Sequence, residues 1–232
     1  MFFNLFVTIQ AMASLKNFLH DGSIVFKEVV SPINGLLTVK WDITFGYQIM
    51  GGGLWQVGGP VRTIWKYALD HLKKRKEVKK ALILGLGGGS IAKIIRDNWK
   101  DASVVGVDID QVIVDLGIDY LGLDKLNVDI IIGDAFDYLS KEKKTYDLIC
   151  VDTYVGDSFP KQFESDGFLK DVSQHLSQGG VAVFNRLYYS DKRKIADHFE
   201  KELSKYFARV EPLYPELSAL YLCTKSHVGM TK

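Results

Sequence analysis

The run Ala81-Leu-Ile-Leu-Gly-Leu-Gly-Gly-Gly-Ser90, followed by Val104-Val-Gly-Val-Asp-Ile-Asp110, constrains the fold more than any other stretch of the chain. It reads as strand, glycine turn, helix, strand and acidic tip, the order of a nucleotide-binding half of a Rossmann-like sheet. Gly85, Gly87, Gly88 and Gly89 let the backbone turn sharply and come close to a ligand. Asp108 lies 23 residues beyond Gly85, where a carboxylate accepts ribose hydroxyls. An adenine nucleoside is the expected ligand.

A dinucleotide fingerprint requires glycine at its first, third and sixth positions, and the sixth here is Ser90, which disfavours NAD. Gly133-Asp134 follows the apolar run Val128-Asp-Ile-Ile-Ile132 and sets a second carboxylate at a strand tip, near an adenine amino group. Two acidic tips repel a pyrophosphate but suit an adenosyl sulfonium, with its hydroxyls, exocyclic amine and positive charge. S-adenosylmethionine or a derivative is therefore the expected co-substrate.

With 232 residues, 47% hydrophobic and 25% charged, the chain can bury one substantial core with a small appended subdomain. A formal net charge of +1 offers no global attraction for nucleic acid or an anionic membrane. The basic run Lys73-Lys-Arg-Lys-Glu-Val-Lys-Lys80 reads as a solvated helix end. Cys150 and Cys223 sit in apolar runs and read as reduced, buried packing residues. The five histidines lack metal-ligand spacing, so no metal is expected. No apolar stretch is long enough to span a bilayer. Within the apolar segment 1–22, Met1–Ala13 imitates a signal peptide, with Ala11-Met-Ala13 resembling a cleavage site, yet no Lys or Arg precedes Lys16. Its other readings are a packing or dimer segment, or a start at Met12. A sulfonium donor points to the cytoplasm.

Residues 23–59 read as a small antiparallel β-subdomain, with strands at 23–30, 35–41 and 43–50 between glycine-rich breaks. Residues 60–232 read as the nucleoside-binding domain. Pro60 opens a bridging helix on which Ile64, Tyr67, Ala68 and Leu72 recur at helical spacing. Beyond Lys80, strands and helices alternate, as a parallel sheet requires. The expected strands end at Leu84 and cover 103–107, 128–132, 146–151 and 180–184, with two more near the C-terminus. The expected helices cover 90–99, 111–120, 162–176 and 192–206. Asp110 and Ser90 read as helix caps.

Together these segments resemble the spermidine synthase (polyamine aminopropyltransferase) family, from about Ser31 to Lys225. The resemblance rests on Leu54-Trp-Gln56, Leu82-Ile-Leu-Gly-Leu-Gly-Gly-Gly89, Val107-Asp-Ile-Asp-Gln-Val112, Gly133-Asp-Ala-Phe136, Tyr146-Asp-Leu-Ile-Cys-Val-Asp152, Phe168-Leu with Leu176 and Gly179-Gly180-Val181, and Leu213-Tyr-Pro215. It implies an α/β, Rossmann-like S-adenosylmethionine-dependent methyltransferase fold with a small N-terminal antiparallel β-subdomain. It also implies aminopropyl transfer from decarboxylated S-adenosylmethionine to an amine, and assembly as a homodimer. By the same resemblance Asp108 holds ribose, and Asp134 and Ala135 lie near adenine. Gln56 lines the nucleoside pocket with Gly85, Gly87 and Gly89, and Asp152 is the base. Trp65, Tyr154, Asp157 and Tyr214 fall on the acceptor side, although by residue type Trp65 and Tyr154 read first as packing aromatics.

The departures from the family pattern also gather on the acceptor side. Gly88 stands where the family carries an aspartate that holds the aminopropyl ammonium. Val61 and Arg62 replace an Asp-Glu pair, and Trp65, Lys66 and Tyr67 replace a Tyr-His-Glu triplet. The family's second aspartate, three residues after the base, has only Asp157 to replace it, and that requires the loop to bend. Three readings stay open: an aminopropyltransferase, a methyltransferase favoured by Arg62 and Lys66, or a nucleoside-binding homologue without catalysis. From the residues alone, Asp152 reads as a base at a strand's carboxyl end or as a turn cap.

Overall fold

Aromatic and β-branched runs broken by glycines form the first sheet. In the computed structural model, which describes residues 22–225, these are β1 (Ser23–Ser31), β2 (Gly35–Asp42), β3 (Gly46–Gly51) and β4 (Leu54–Val57). They pair antiparallel in that order. The third strand starts later than its residue types suggest. Asp42 Oδ1 accepts the backbone N–H groups of Thr44 and Phe45 at 2.8 and 2.7 Å, so Ile43-Thr-Phe45 forms a side-chain-closed turn. The short strand β4 was not anticipated. The apolar N-terminal segment lies outside the described residues apart from Gly22.

Helix α1 (Gly59–Lys73) has Pro60 in its first turn, as expected, and ends in the basic run, in which Lys73, Lys74, Lys79 and Lys80 are exposed and Lys76 is half-buried. Its buried face is Ile64, Trp65, Ala68, Leu69 and Leu72, while Tyr67, expected inside, is exposed. The remaining elements are β5 (Lys80–Leu84), α2 (Ser90–Asn98), β6 (Ser103–Asp108), α3 (Gln111–Leu121), β7 (Val128–Ile132), α4 (Ala135–Lys141), β8 (Tyr146–Val151), α5 (Asp166–Gln174), β9 (Leu176–Leu187), α6 (Lys192–Leu203), β10 (Arg209–Leu213) and β11 (Ser218–Thr224). Helix α4 is missing from the expected elements; its seven residues span too few turns to show a period. The helix expected at 162–176 divides into a 3-10 turn at Lys161–Glu164 and α5, whose N-cap Ser165 Oγ accepts the Phe168 N–H. Strand β9 starts four residues before the expected 180 and runs straight through Gly179-Gly180, with Gly179 in a left-handed conformation.

The large sheet has the order β10-β11-β9-β8-β5-β6-β7. Strands β5 to β9 are mutually parallel, and β11 alone runs the other way, antiparallel to both β9 and the edge strand β10. The chain leaves β5 for β6 and β7 on one side, then returns to β8 on the other. That reversal opens a crevice at the carboxyl ends of β5 and β8, where ligands of such sheets bind.

Side chains alternate across β5, so Ala81 and Ile83 face one layer and Leu82 and Leu84 the other. The first layer includes Trp65, Leu69, Ile91 and Ile95 from the helices, together with Leu37, Val39, Ile49 and Val57 of the small sheet. The two sheets thus share one core. The second layer gathers Leu139, Phe168, Phe184 and Phe199. Cys150 and Cys223 are buried free thiols in β8 and β11, pushed up in pKa by burial. Among the described residues no helix is long and apolar enough to cross a membrane.

Candidate active site

Hydrogen bonds carry β5 and β6 directly into the glycine loop: Gly85 N–H donates to Val107 O at 2.9 Å, and Asp152 N–H to Leu84 O at 2.8 Å. A Cβ on Gly85 would lie 2.1 Å from the Asp152 carbonyl oxygen, and its φ is 92°. Only glycine lets the two strand ends meet this closely. Asp108 ends β6 with its carboxylate held by backbone: Gly87 N–H donates to Oδ2 at 2.6 Å and Asp110 N–H to Oδ1 at 2.9 Å. Burial raises its pKa, and those N–H groups oppose the rise. Each oxygen keeps a second lone pair open to a further hydrogen-bond donor.

Asp110 is the expected N-cap of α3, with Oδ1 accepting Val112 N–H at 2.9 Å. Its Oδ2 accepts Ser31 Oγ–H at 2.5 Å and Asn34 Nδ2–H at 2.6 Å, which fastens the β1–β2 turn over the crevice. Asp134 ends β7, caps α4 through Phe136 N–H at 2.7 Å, and accepts Gln162 Nε2–H at 3.0 Å. Ser90 is not a cap: Gly89 holds that position, and Ser90 Oγ accepts the Gly58 N–H at 3.0 Å.

Asp152 ends β8, deep in the protein with part of its surface on the crevice. Trp65 Nε1–H donates to Oδ2 at 2.7 Å and Asn185 Nδ2–H to Oδ1 at 2.9 Å. Burial pushes its pKa up to about 6, against the lowering effect of those two donors, and the Asp108 carboxylate adds a further rise. The parallel register pairs Val151 with Phe184, so the next residues, Asp152 and Asn185, stand side by side.

A cavity of about 340 Å³ occupies the crevice. Gln56, Gly85, Gly87, Asp108, Asp134, Ala135, Asp152 and Tyr154 line it, with Tyr154 fixed where its hydroxyl accepts the Leu187 N–H at 2.8 Å. The other expected site residues lie elsewhere. Gly89 is behind the loop against Leu123. Trp65 is fully buried outside the lining and reaches the site only through Asp152. The loop does not bend Asp157 inward; it pairs with Lys192 at 3.2 Å on the surface. Tyr214 is half exposed and packs on Tyr188, ring centroids 4.8 Å apart.

Arg62 and Lys66 are exposed, outside the lining, and Lys66 pairs with Asp70. Gly88 also misses the cavity: a Cβ there would lie 3.0 Å from Val57 and 3.1 Å from Ile49. Asn185, Leu187, Tyr189 and Glu216 line the cavity although none is among the expected site residues. Asn185 carried one signal, a polar residue closing the apolar run Val181-Ala-Val-Phe184. Among the described residues the lining holds four carboxylic acids, Asp108, Asp134, Asp152 and Glu216, and no Lys, Arg or His. No metal-ligating cluster occurs among the described residues.

Comparison with known proteins fits this geometry. Over 111 residues the chain is 35% identical to a probable polyamine aminopropyl transferase of Bifidobacterium longum, covering 48% of this chain and 25% of that protein. Over 124 residues it is 30% identical to a polyamine aminopropyltransferase of Vibrio vulnificus, covering 52% and 40%. These matches thus span between a quarter and two fifths of the relatives' lengths. A crystal structure of a probable spermidine synthase from Corynebacterium glutamicum shares the fold, with a TM-score of 0.71, 17% identity, and coverage of 86% of this chain and 79% of that one. The family model described as the spermine/spermidine synthase domain matches residues 62–227, and the chain belongs to that family.

Proposed function

We propose that this chain transfers the aminopropyl group of decarboxylated S-adenosylmethionine to an amine. The observation that carries this reading is the cavity wall: among the described residues Asp152, held by two N–H donors, shares it with three other carboxylic acids and no basic side chain. Such a wall suits a sulfonium and an amine. It disfavours S-adenosylmethionine itself, whose carboxylate would meet carboxylic acids and no cation among the described residues of the wall. Arg62 and Lys66, which would have favoured methyl transfer, lie outside it. Asp108 would take the ribose hydroxyls, and Asp134 with Ala135 and Gln56 the adenine side.

The transfer is an in-line displacement. The amine nitrogen forms a bond to the carbon on sulfur, the carbon–sulfur bond breaks, and its electron pair leaves with a neutral thioether. An aliphatic amine has a reference pKa near 10, so about one molecule in 10³ is neutral at pH 7, a cost of roughly 4 kcal/mol. Asp152 would accept that proton. With a pKa raised to about 6 it is ionised at neutral pH and still a better base than an ordinary carboxylate.

Calorimetric titration with decarboxylated S-adenosylmethionine and, in parallel, with S-adenosylmethionine tests the reading, followed by mass detection of aminopropylated amine. Preference for the decarboxylated compound with product formation is expected. Preference for S-adenosylmethionine would replace the reading by methyl transfer, and nucleoside binding without turnover on any amine would leave a binding protein. The homodimer, which rests on the family resemblance, is checked by light scattering of the full chain.

A further inference from the structure

The apolar strand β9 carries a single charged side chain, Arg186, which is only 4% exposed and lies outside the cavity lining. Its guanidinium carbon sits 4.1 Å from the ring centroid of Phe159 and 4.6 Å from that of Phe199. Nη2–H donates to Glu164 Oε1 at 2.6 Å, and Nη1 has no partner among the described residues. A buried guanidinium with an unmet donor costs stability that an apolar side chain of similar size would not. Its presence is therefore better explained by what its contacts hold in place.

Two of those contacts, Phe159 and Glu164, belong to residues 152–165 between β8 and α5, and this segment supplies Tyr154, Val155, Pro160, Gln162 and Phe163 to the cavity lining. Tyr154 meets Phe159 edge-on, ring centroids 5.3 Å apart. Gln162, two residues before Glu164, reaches across to the end of β7, where its Nε2–H donates to Asp134 Oδ2 at 3.0 Å. The third contact, Phe199 of α6, packs on Phe184 of β9 at 5.7 Å and so belongs to the core beneath the segment. One guanidinium thus ties that core to a wall touching both Asp134 and the chain just after Asp152. We propose that Arg186 is a positioning residue: it fixes the 153–164 wall so that Gln162 meets Asp134 and Tyr154 faces the cavity, without itself touching a ligand. This inference rests on the nucleoside-binding reading above.

The experiment compares the full chain with Arg186→Met, which keeps an apolar body between the two rings and removes the bond to Glu164. Three quantities are read: Tm, hydrogen exchange of the amides of 153–164, and calorimetric affinity for 5′-methylthioadenosine. Arg186→Met is expected to keep its Tm, to exchange faster within 153–164 than elsewhere, and to bind about 10-fold more weakly. Arg186→Lys should not rescue it, because a compact ammonium lacks the flat face that stacks between the rings. Unchanged local exchange, or unchanged affinity, overturns the proposal, and a lowered Tm with neither change makes Arg186 a packing residue only. Should Arg186→Met fail to fold, Glu164→Gln, at a side chain 34% exposed, takes its place with the same outcomes. If the wild-type chain binds no nucleoside, that reading fails separately and local exchange decides: faster exchange confined to 153–164 supports the role of Arg186, and equal exchange overturns it.

Discussion

The indole Nε1–H of Trp65 donates to Oδ2 of Asp152 at 2.7 Å, joining residues 87 positions apart in the chain. Trp65 belongs to the helix that bridges the two sheets, so the packing of that helix orients the carboxylate at the end of β8. The indole is fully buried, and its position is set by the core rather than by the crevice.

Replacing Trp65 by Phe keeps most of the ring and removes the N–H. The donor lowers the Asp152 pKa, so its loss moves that pKa above about 6. The acidic limb of the kcat/KM profile is expected to shift to higher pH, measured between pH 5 and 9. An unmoved limb would leave Trp65 a packing residue only.

Asp152→Asn should reduce turnover by about 10²- to 10⁴-fold with nucleoside binding retained. The same change should stabilise the fold at alkaline pH. With a folded-state pKa near 6, above the ordinary carboxylate value, the folded chain takes up the proton first as pH falls. The burden of the buried charge is thus absent below about pH 4 and complete above about pH 6, worth at most about 3 kcal/mol. The Asn185 amide can turn to offer Oδ1 to the new amide. Urea denaturation at pH 4 and pH 8 should show the variant ahead only at pH 8; equal stabilities at both would remove the charge penalty from the account.

Gly88→Asp restores the family's aspartate in sequence but not in space. Its carboxylate would grow against Val57 and Ile49, so a loss of roughly 2–4 kcal/mol is expected, read as a lower Tm. A variant of undiminished Tm with tighter binding of decarboxylated S-adenosylmethionine would show that the loop opens toward the cavity instead.

Asp108→Asn should weaken 5′-methylthioadenosine binding by about 10- to 100-fold. An amide in place of the carboxylate turns an N–H₂ toward one of the two backbone donors, Gly87 N–H or Asp110 N–H, that now hold it. Calorimetry measures the change, and unaltered affinity would remove Asp108 from the ribose site.

Much of this architecture is legible because its signals are local. A strand, its glycine turn and the carboxylate at its end are neighbours in sequence, which is why Asp108, Asp134 and Asp152 could be named and why all three reach the cavity. The alternation of elements specified a mostly parallel sheet for the same reason. Helix α4 and strand β4 escaped notice because seven and four residues are too short to display a period. The Ile43-Thr-Phe45 run misled because β-branched and aromatic residue types outweighed the Asp42 side chain that closes a turn there.

What tertiary structure decided is direction. Each step along α1 rotates a side chain by about 100°, so only packing sets which face meets the core. That rotation buries Trp65 and turns Arg62 and Lys66 to water. Strand register, a property of two distant segments, sets Asn185 beside Asp152, and the path of one loop sends Glu216 rather than Tyr214 to the cavity. The sequence by itself determined the sheet and its acidic strand ends. The acceptor side depends on long-range packing, where no residue's neighbours in the chain reveal what it will face.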